Sequence, residues 1–318
     1  MKSSTVVIAL VAALSTTAPA VATAPHPRPD QVRTVVALDY PAGQHPEGIA
    51  AARDGSLYVG MAPTGQLTRV RPDGRTTDLG TPAFPAGAGY LLGLATDSRE
   101  RVYGAVVRFD GGPTGVWRYD AAAGTWSLFA ATGAGGFPNG LAFRDDGTLL
   151  VSDSALGTIW AVGRSGSVST WLHDSRLAPG ELGAGVNGLA IDRDGDVWFT
   201  NSEQATIGVV GTDRHGDPVG RPRVVAHDAD LLAFADGLVI DGSGDVWVAA
   251  SYGNDRLLRV TRRGVVCVVA DRADGLDYTA SVAFGRTPST RATLFFTNAG
   301  DDFGEPSVMS VRNPRCGH

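Results

Sequence analysis

Short apolar runs, each followed by a polar turn with a glycine in it, recur from one end of the chain to the other. In "VNGLAIDRDGDVWFTN", residues 189–191 form one run, Gly195 closes the turn and residues 197–200 form the next. Asp-Gly and related pairs permit the positive φ angles of tight hairpins, so the unit reads as two antiparallel strands. Gly55, Gly147 and Gly244 hold the same place in "PEGIAAARDGSLYVG", "PNGLAFRDDGTLLVSD" and "ADGLVIDGSGDVWVAA". A third run follows in the copies, as in "GQLTRVR", "GVWRYD", "GTIWAVG", "ATIGVVG" and "DRLLRVT", and usually a fourth, as in "SVSTWLH" and "GVVCVVAD". No stretch carries a helical period.

Two looser copies, "LLGLATDSRERVYGA" and "ASVAFGRTPSTRATLFFTN", complete the series. Aligning all six on the residue that precedes the glycine, or its equivalent, gives the slots Glu47, Leu92, Asn139, Asn187, Asp236 and Ala280. They are 45, 47, 48, 49 and 44 residues apart. A period of this length built from strands marks a propeller. The predicted fold is therefore all-β: a six-bladed β-propeller of four-stranded antiparallel blades, one domain over residues 25–318. The segment "TVVALDYP", residues 34–41, has no blade of its own, and the last copy runs out after three strands near "SVMSVRN". The N-terminal strand is expected to complete blade six.

The 42 glycines and 18 prolines agree with many tight turns between short strands. Residues 1–24 stand apart. Lys2, an apolar run over residues 5–14 and the small-residue segment "APAVATA" read as a secretory signal peptide, cleavable after Ala20, Ala22 or Ala24. Its loss takes the formal charge from −6 to −7, because Lys2 is its one charged residue. That charge argues against a nucleic-acid partner. No later run has the length of a membrane helix. The expectation is a secreted monomer that works on a small molecule, with no membrane attachment once the signal is removed. In an oxidising compartment Cys267 and Cys316 can pair, if their Cα atoms come within about 7 Å.

The first strand of a propeller blade is the innermost, so the slot residues converge on one end of the central channel. They bring two carboxylates, two amides and the apolar Leu92 and Ala280. Any one Asn-Gly or Asp-Gly pair is usually just a turn. Glu47 has no turn chemistry, however, and each hairpin already has its glycine further on. Two carboxylates near an axis repel, and one is driven toward protonation unless a cation compensates. Four oxygen ligands with a formal charge of −2, and no imidazole or thiolate, suit a hard cation. Calcium fits better than magnesium, which demands a stricter octahedron; zinc is disfavoured, and another divalent cation stays open.

The order Glu47, Asn139, Asn187, Asp236 on blades one, three, four and five, with the phrases "PNGLAF", "FADGLVIDGSGDVWVA" and "NDRLLRV", resembles the SMP-30/gluconolactonase/LRE-like group of calcium-dependent propeller hydrolases, which includes diisopropyl-fluorophosphatase. The resemblance spans nearly the whole chain after the signal. It implies a metal held by Glu47, Asn139, Asn187 and Asp236, with Asp236 also the catalytic base or nucleophile. In such a site the cation stabilises the oxyanion formed when water attacks a lactone or ester, and lowers the pKa of bound water. The sugar-lactone members commonly carry an arginine two residues before the blade-three asparagine, where this chain has Phe137. A less polar substrate than an aldonolactone follows.

Leu92, Phe84, Tyr90, Phe137 and Phe234 are candidates to line an apolar entrance, and His45 and His227 fall on segments expected to overhang it. Asp153, Asn201, Asn298 and Asp301, at or beyond the ends of second strands, are expected to hydrogen-bond adjacent blades. A serine-nucleophile G-x-S-x-G motif is missing. Three functions remain: a secreted calcium-dependent hydrolase of a lactone or ester; a metal-dependent cyclase or lyase on an apolar intermediate; and a binding propeller whose ion is only structural.

Overall fold

The computed structural model describes residues 32–82, 84–85 and 87–316; the expected signal segment, 1–24, lies outside them. Among the described residues there are twenty-four strands, β1 to β24, and one short 3-10 turn at Arg272–Asp274. Among the described residues no helix is long and apolar enough to cross a membrane.

The strands form six four-stranded antiparallel sheets. Each starts with an innermost strand, and these are β2 (Pro46–Ala51), β6 (Gly89–Thr96), β10 (Pro138–Phe143), β14 (Val186–Ile191), β18 (Ala235–Ile240) and β22 (Thr279–Phe284). Each innermost strand touches the next around a closed ring, β22 meeting β2. Six separate apolar clusters fill the gaps between consecutive blades. Val59 and Val308, for example, share the cluster between blades one and six. A sheet with two apolar faces must be covered on both, and the ring does this for every blade.

Blade six consists of β22, β23 (Thr293–Asn298), β24 (Ser307–Arg312) and, outermost, β1 (Arg33–Ala37). The N-terminal strand thus closes the ring as expected. It runs antiparallel to β24, pairing Arg33 with Ser310 and Ala37 with Ser307, and ends at Ala37, before Pro41. Cys267, on β21 (Val266–Ala270), is bonded to Cys316 with the Cα atoms 5.7 Å apart. The bridge ties the outer edge of blade five to the chain beyond β24.

Two backbone features set the slot residues. In all six blades the register between the innermost strand and its neighbour shifts at the slot, for example between Pro138 and Leu141 and between Val186 and Leu189. A bulge there takes the slot residue out of the ladder and re-aims its side chain. The glycine that follows has a different role from the turn role its dipeptide suggests. Gly48, Gly93, Gly140 and Gly188 lie within strands at ordinary φ, and a Cβ on any of them would collide with the slot carbonyl of the next blade, that of Leu92, Asn139, Asn187 or Asp236. Close packing of neighbouring bulges selects glycine there.

Candidate metal and substrate site

Hydroxyl side chains fasten these bulges from blade to blade. The Ser152 hydroxyl accepts from Gly140 N–H at 2.7 Å in its own blade and donates to the Asn187 carbonyl of the next. Thr200 repeats the pattern between Gly188 N–H and the Asp236 carbonyl, both at 2.8 Å. Thr297 does so between Ser281 N–H and the Glu47 carbonyl, both at 2.9 Å. Three of the four expected ligands therefore have their backbones held by a neighbour. The signal in the sequence is a small hydroxyl residue thirteen positions after the slot in blades three and four, and seventeen after it in blade six, whose turn has four extra residues; the reading of slots alone passes over it.

A second row of serines, fifteen positions after the slot, reaches the side chains. Asn187 Nδ2 donates to Ser202 Oγ at 3.2 Å, and Ser251 Oγ donates to Asp236 Oδ2 at 3.2 Å. Ser154 Oγ donates to the Val186 carbonyl at 2.8 Å, one residue before Asn187.

Glu47, Asn139, Asn187 and Asp236 are all buried and line one cavity of about 780 Å³ at the channel mouth. Its walls also include Tyr90, Leu92, Phe137 and Phe234. The structure thus brings eight of the expected site residues together. His227 is not among them. It ends β17 (Pro218–His227), the outermost strand of blade four, pairs with Thr206 and is exposed. The strand runs further than the local pattern suggests and carries the histidine away from the axis. Phe84 is also displaced: it is buried in the cluster between blades one and two, under the Arg108 guanidinium at 5.4 Å.

His45 does reach the cavity, where its Nδ1 lies 3.2 Å from Asp301 Oδ1 and its ring 4.3 Å from that of Tyr40. Asp301 lines the same wall and, through His45, joins blade six to blade one as expected. Asp153 binds within its own blade, holding Phe137 N–H at 2.8 Å and Trp160 Nε1 at 3.1 Å. Asn201 donates to the Arg176 and Ala178 carbonyls at 3.1 and 3.0 Å, joining blades three and four as expected. Asn298 Oδ1 accepts from Asp277 N–H at 2.7 Å.

The electrostatics of the mouth are unbalanced. Burial, and then the charge of Asp236, raise the Glu47 carboxyl well above its ordinary range. Burial pushes Asp236 up to about 7, against the pull of the Ser251 hydroxyl, the Asn187 amide and the Gly237 N–H. Glu47 Oε2 and Asn187 Oδ1 are buried acceptors with no hydrogen-bond donor. Orphaned oxygens beside two uncompensated carboxylates are what a cation site looks like in its protein atoms. The donor set is all oxygen, so these residues fit a hard divalent ion.

A wall of aromatics flanks this floor. Phe234 stacks on Tyr252 at 5.0 Å, and Tyr252 lies 5.8 Å from Tyr278. All three have left-handed backbones, with φ of 53°, 58° and 56°, which bulky side chains adopt only where the surroundings hold them. Burial, followed by the nearby carboxylates of Asp236, Asp301 and Glu47, raises the Tyr278 phenol further from ionisation. Opposite, Tyr90 packs edge-on to Phe109 at 5.0 Å.

A second acidic group, Asp255, Asp277 and Asp302, lies outside the mouth. Arg272 Nη1 bonds Asp255 and, at 2.9 Å, Asp302, and Asp277 Oδ2 accepts from the Asp302 and Phe303 N–H groups at 3.0 and 2.7 Å, so all three carboxylates already have partners.

The sequence profile of the SMP-30/Gluconolactonase/LRE-like region matches residues 183–300. The match includes the slots of blades four to six, Asn187 and Asp236 among them, and a strictosidine synthase-like N-terminal profile matches residues 25–70, around Glu47. Comparison with curated protein sequences finds no match. Among solved structures, a gluconolactonase from Xanthomonas campestris superposes with a TM-score of 0.67 at 18% identity, over 88% of this chain and 89% of its own. A calcium-binding regucalcin from Agrobacterium tumefaciens gives 0.68 at 19%, over 92% and 96%. Virginiamycin B lyase from Staphylococcus aureus gives 0.59 at 14%, over 85% and 81%. These likenesses establish the fold.

Proposed function

We propose that the protein is a secreted, monomeric, calcium-dependent hydrolase of a lactone or related ester with an apolar, ring-bearing body. The observation that carries this reading is the pair of orphaned buried oxygens, Glu47 Oε2 and Asn187 Oδ1, beside the raised Asp236 carboxyl. The matched region and the gluconolactonase and regucalcin folds support the same reading.

Glu47, Asn139, Asn187 and Asp236 would hold the ion, which when bound supplies positive charge to the carbonyl oxygen of the substrate as it becomes negative. Asp236 is the base. Its carboxylate takes a proton from water as the water oxygen adds to the carbonyl carbon, and the ring C–O bond then breaks with that proton passing to the departing oxygen. Ser251 holds the Asp236 carboxylate in place through Oδ2. Phe234, Tyr252 and Tyr278 on one side, and Tyr90, Leu92 and Phe137 on the other, exclude water and bind the apolar body.

The apolar walls also favour a second reading, a cyclase or lyase on an apolar intermediate, because Phe137 removes a cationic contact that a polyhydroxy acid would use. One experiment separates them. Purified protein is assayed for calcium content and for hydrolysis of aryl and alkyl lactones, with and without chelator. About one calcium per chain, with turnover lost on chelation and in Asp236→Asn, is the expected result. Tight calcium without hydrolysis of any ester would overturn the hydrolase and leave the second reading.

A further inference from the structure

The opposite end of the channel holds a second cavity, of about 570 Å³. Most of its lining comes from the hairpin ends of the inner strands, with Arg164 added from the turn between the third and fourth strands of blade three and Phe129 from the outermost strand of blade two, so the length of a six-residue strand, about 20 Å, separates it from the mouth. Six arginines line it (Arg53, Arg99, Arg101, Arg144, Arg164 and Arg286) against two aspartates, Asp97 and Asp145. In a chain of formal charge −6 this is a local reversal of sign. Its floor is apolar, made by Tyr103 with Phe129 and Phe143 packed edge-on at 5.2 and 5.1 Å.

Part of the arginine charge is spent internally. Arg101 pairs with Asp97 at 2.6 Å, and Arg286 with Glu100 at 3.0 Å. Arg286 also reaches the Thr96 hydroxyl at 3.2 Å, spanning from blade six to blade two. Arg53 lies 3.4 Å from Glu100, and Arg144 donates to the Gly216 carbonyl at 2.9 Å. These bonds fix the arginines that shape the cavity.

Two are left over. Arg164 donates through Nε to the Asp146 carbonyl at 2.7 Å and its charge acts on the nearby Asp146 carboxyl, but neither of its Nη groups has a hydrogen-bond acceptor among the described residues. The Arg99 guanidinium has no acceptor there at all; only its backbone N–H is bonded, to Asp97 Oδ1 at 2.9 Å. Planar guanidinium forks above a pre-shaped cavity match the oxygen spacing of tetrahedral oxyanions, and bidentate contacts of this kind are the strong ones.

We propose that this cavity binds a small multiply charged oxyanion of the phosphate type, gripped by Arg99 and Arg164 and oriented by the fixed guanidiniums of Arg53, Arg101, Arg144 and Arg286. The site does not depend on the reading of the mouth: it shares no residue with it and requires no metal there. Inorganic phosphate, free or as the group of a phosphorylated metabolite, presents the same chemistry, and the apolar floor distinguishes the two by adding contact area only for the second.

The test is calorimetric titration of the full chain with inorganic phosphate and, separately, with phenyl phosphate, against sodium chloride at equal ionic strength. Saturable binding of one phosphate per chain, with a raised thermal midpoint that chloride does not reproduce, is expected. Tighter binding of phenyl phosphate would assign the site to an organic phosphate; equal binding would assign it to the free ion. Arg99→Ala and Arg164→Ala, both exposed, should each weaken binding about tenfold, the value of a charge-assisted bond, while Asp145→Asn strengthens it. Calcium binding at the mouth, measured in the same variants, should not change and serves as the check on folding. No saturation with phosphate beyond the chloride control, or equal affinity in the Arg99→Ala, Arg164→Ala double variant, overturns the proposal.

Discussion

The Thr200 hydroxyl donates to the backbone carbonyl of Asp236 across the junction of blades four and five, while holding the Gly188 N–H of its own blade. A single side chain thereby fixes the bulge on which the proposed base sits. Thr200→Val keeps the shape and removes both bonds, leaving a buried donor and acceptor unsatisfied at a cost of about 1–3 kcal/mol. We expect a lower thermal midpoint together with at least a tenfold loss of calcium affinity, and near-normal values for Thr200→Ser. Val210→Ala, a truncation in the apolar cluster between blades three and four, should lose similar stability and keep its calcium affinity. If both variants lose affinity equally, the hydroxyl does no more than support the fold.

Glu47→Gln addresses the repulsion in the mouth directly. Burial, and after it the charge of Asp236, raises the Glu47 carboxyl, so a neutral amide of the same size removes a conflict from the ion-free protein. Without calcium the variant should melt higher than the wild type. With calcium the order should reverse, since a ligand at 100 times its Kd stabilises by about 2.7 kcal/mol and the variant forfeits most of that. Scanning calorimetry with and without chelator reads both halves.

The same carboxylates make ion-free stability depend on pH. Asp236 moves from an unfolded value of about 4 up to about 7 in the fold, and Glu47 is also raised. A raised carboxyl binds its proton more tightly in the folded state. Its favourable contribution is therefore whole below pH 4 and is lost as pH rises from there through 7. Urea midpoints in chelator should fall by the equivalent of a few kcal/mol between pH 5 and 8. Calcium competes with those protons and should stabilise more at pH 8 than at pH 5. An ion-free protein whose mouth carboxyls titrate normally would show no such fall.

The Cys267–Cys316 bridge spans 49 residues of sequence and braces the blade that β1 must complete. Cys316→Ser should lower stability by about 2–4 kcal/mol, read as a shift in urea midpoint, with calcium affinity unchanged because the bridge lies on the outer edge of the ring. A calcium defect in this variant would mean that closure of blade six shapes the mouth.

The repeat made the ring legible: a period of 44 to 49 residues, the same hairpin glycine in four of the six copies and a stray N-terminal strand together specify six blades and their closure. Glu47 was the decisive residue at the mouth, since glutamate in an Asn/Asp slot has no turn role. The bulge at each slot was hidden because register is a property of paired strands, while the glycine after it looked like turn chemistry and is in fact clearance for a carbonyl. Tyr252 and Tyr278 were illegible because their place in the wall depends on left-handed backbones that a hydrophobic pattern does not encode. His227 went astray for the opposite reason: an irregular stretch read as a loop is the last turnless part of a ten-residue strand.

The aromatic wall sets the last prediction. Tyr252 is 59% exposed yet stacked on Phe234 and tilted against Tyr278, so truncating it removes contact area facing the cavity and little from the core. Tyr252→Ala should leave the thermal midpoint within about 0.5 kcal/mol of wild type. For a lactone bearing an aryl or long alkyl group, loss of that contact is worth about 1–3 kcal/mol, or 10–200-fold in kcat/KM. A small unsubstituted lactone, which cannot reach the wall while its carbonyl sits between Glu47 and Asp236, should be hydrolysed unchanged. An equal loss on both substrates would show that the strained tyrosine holds the mouth in shape and does not touch the substrate.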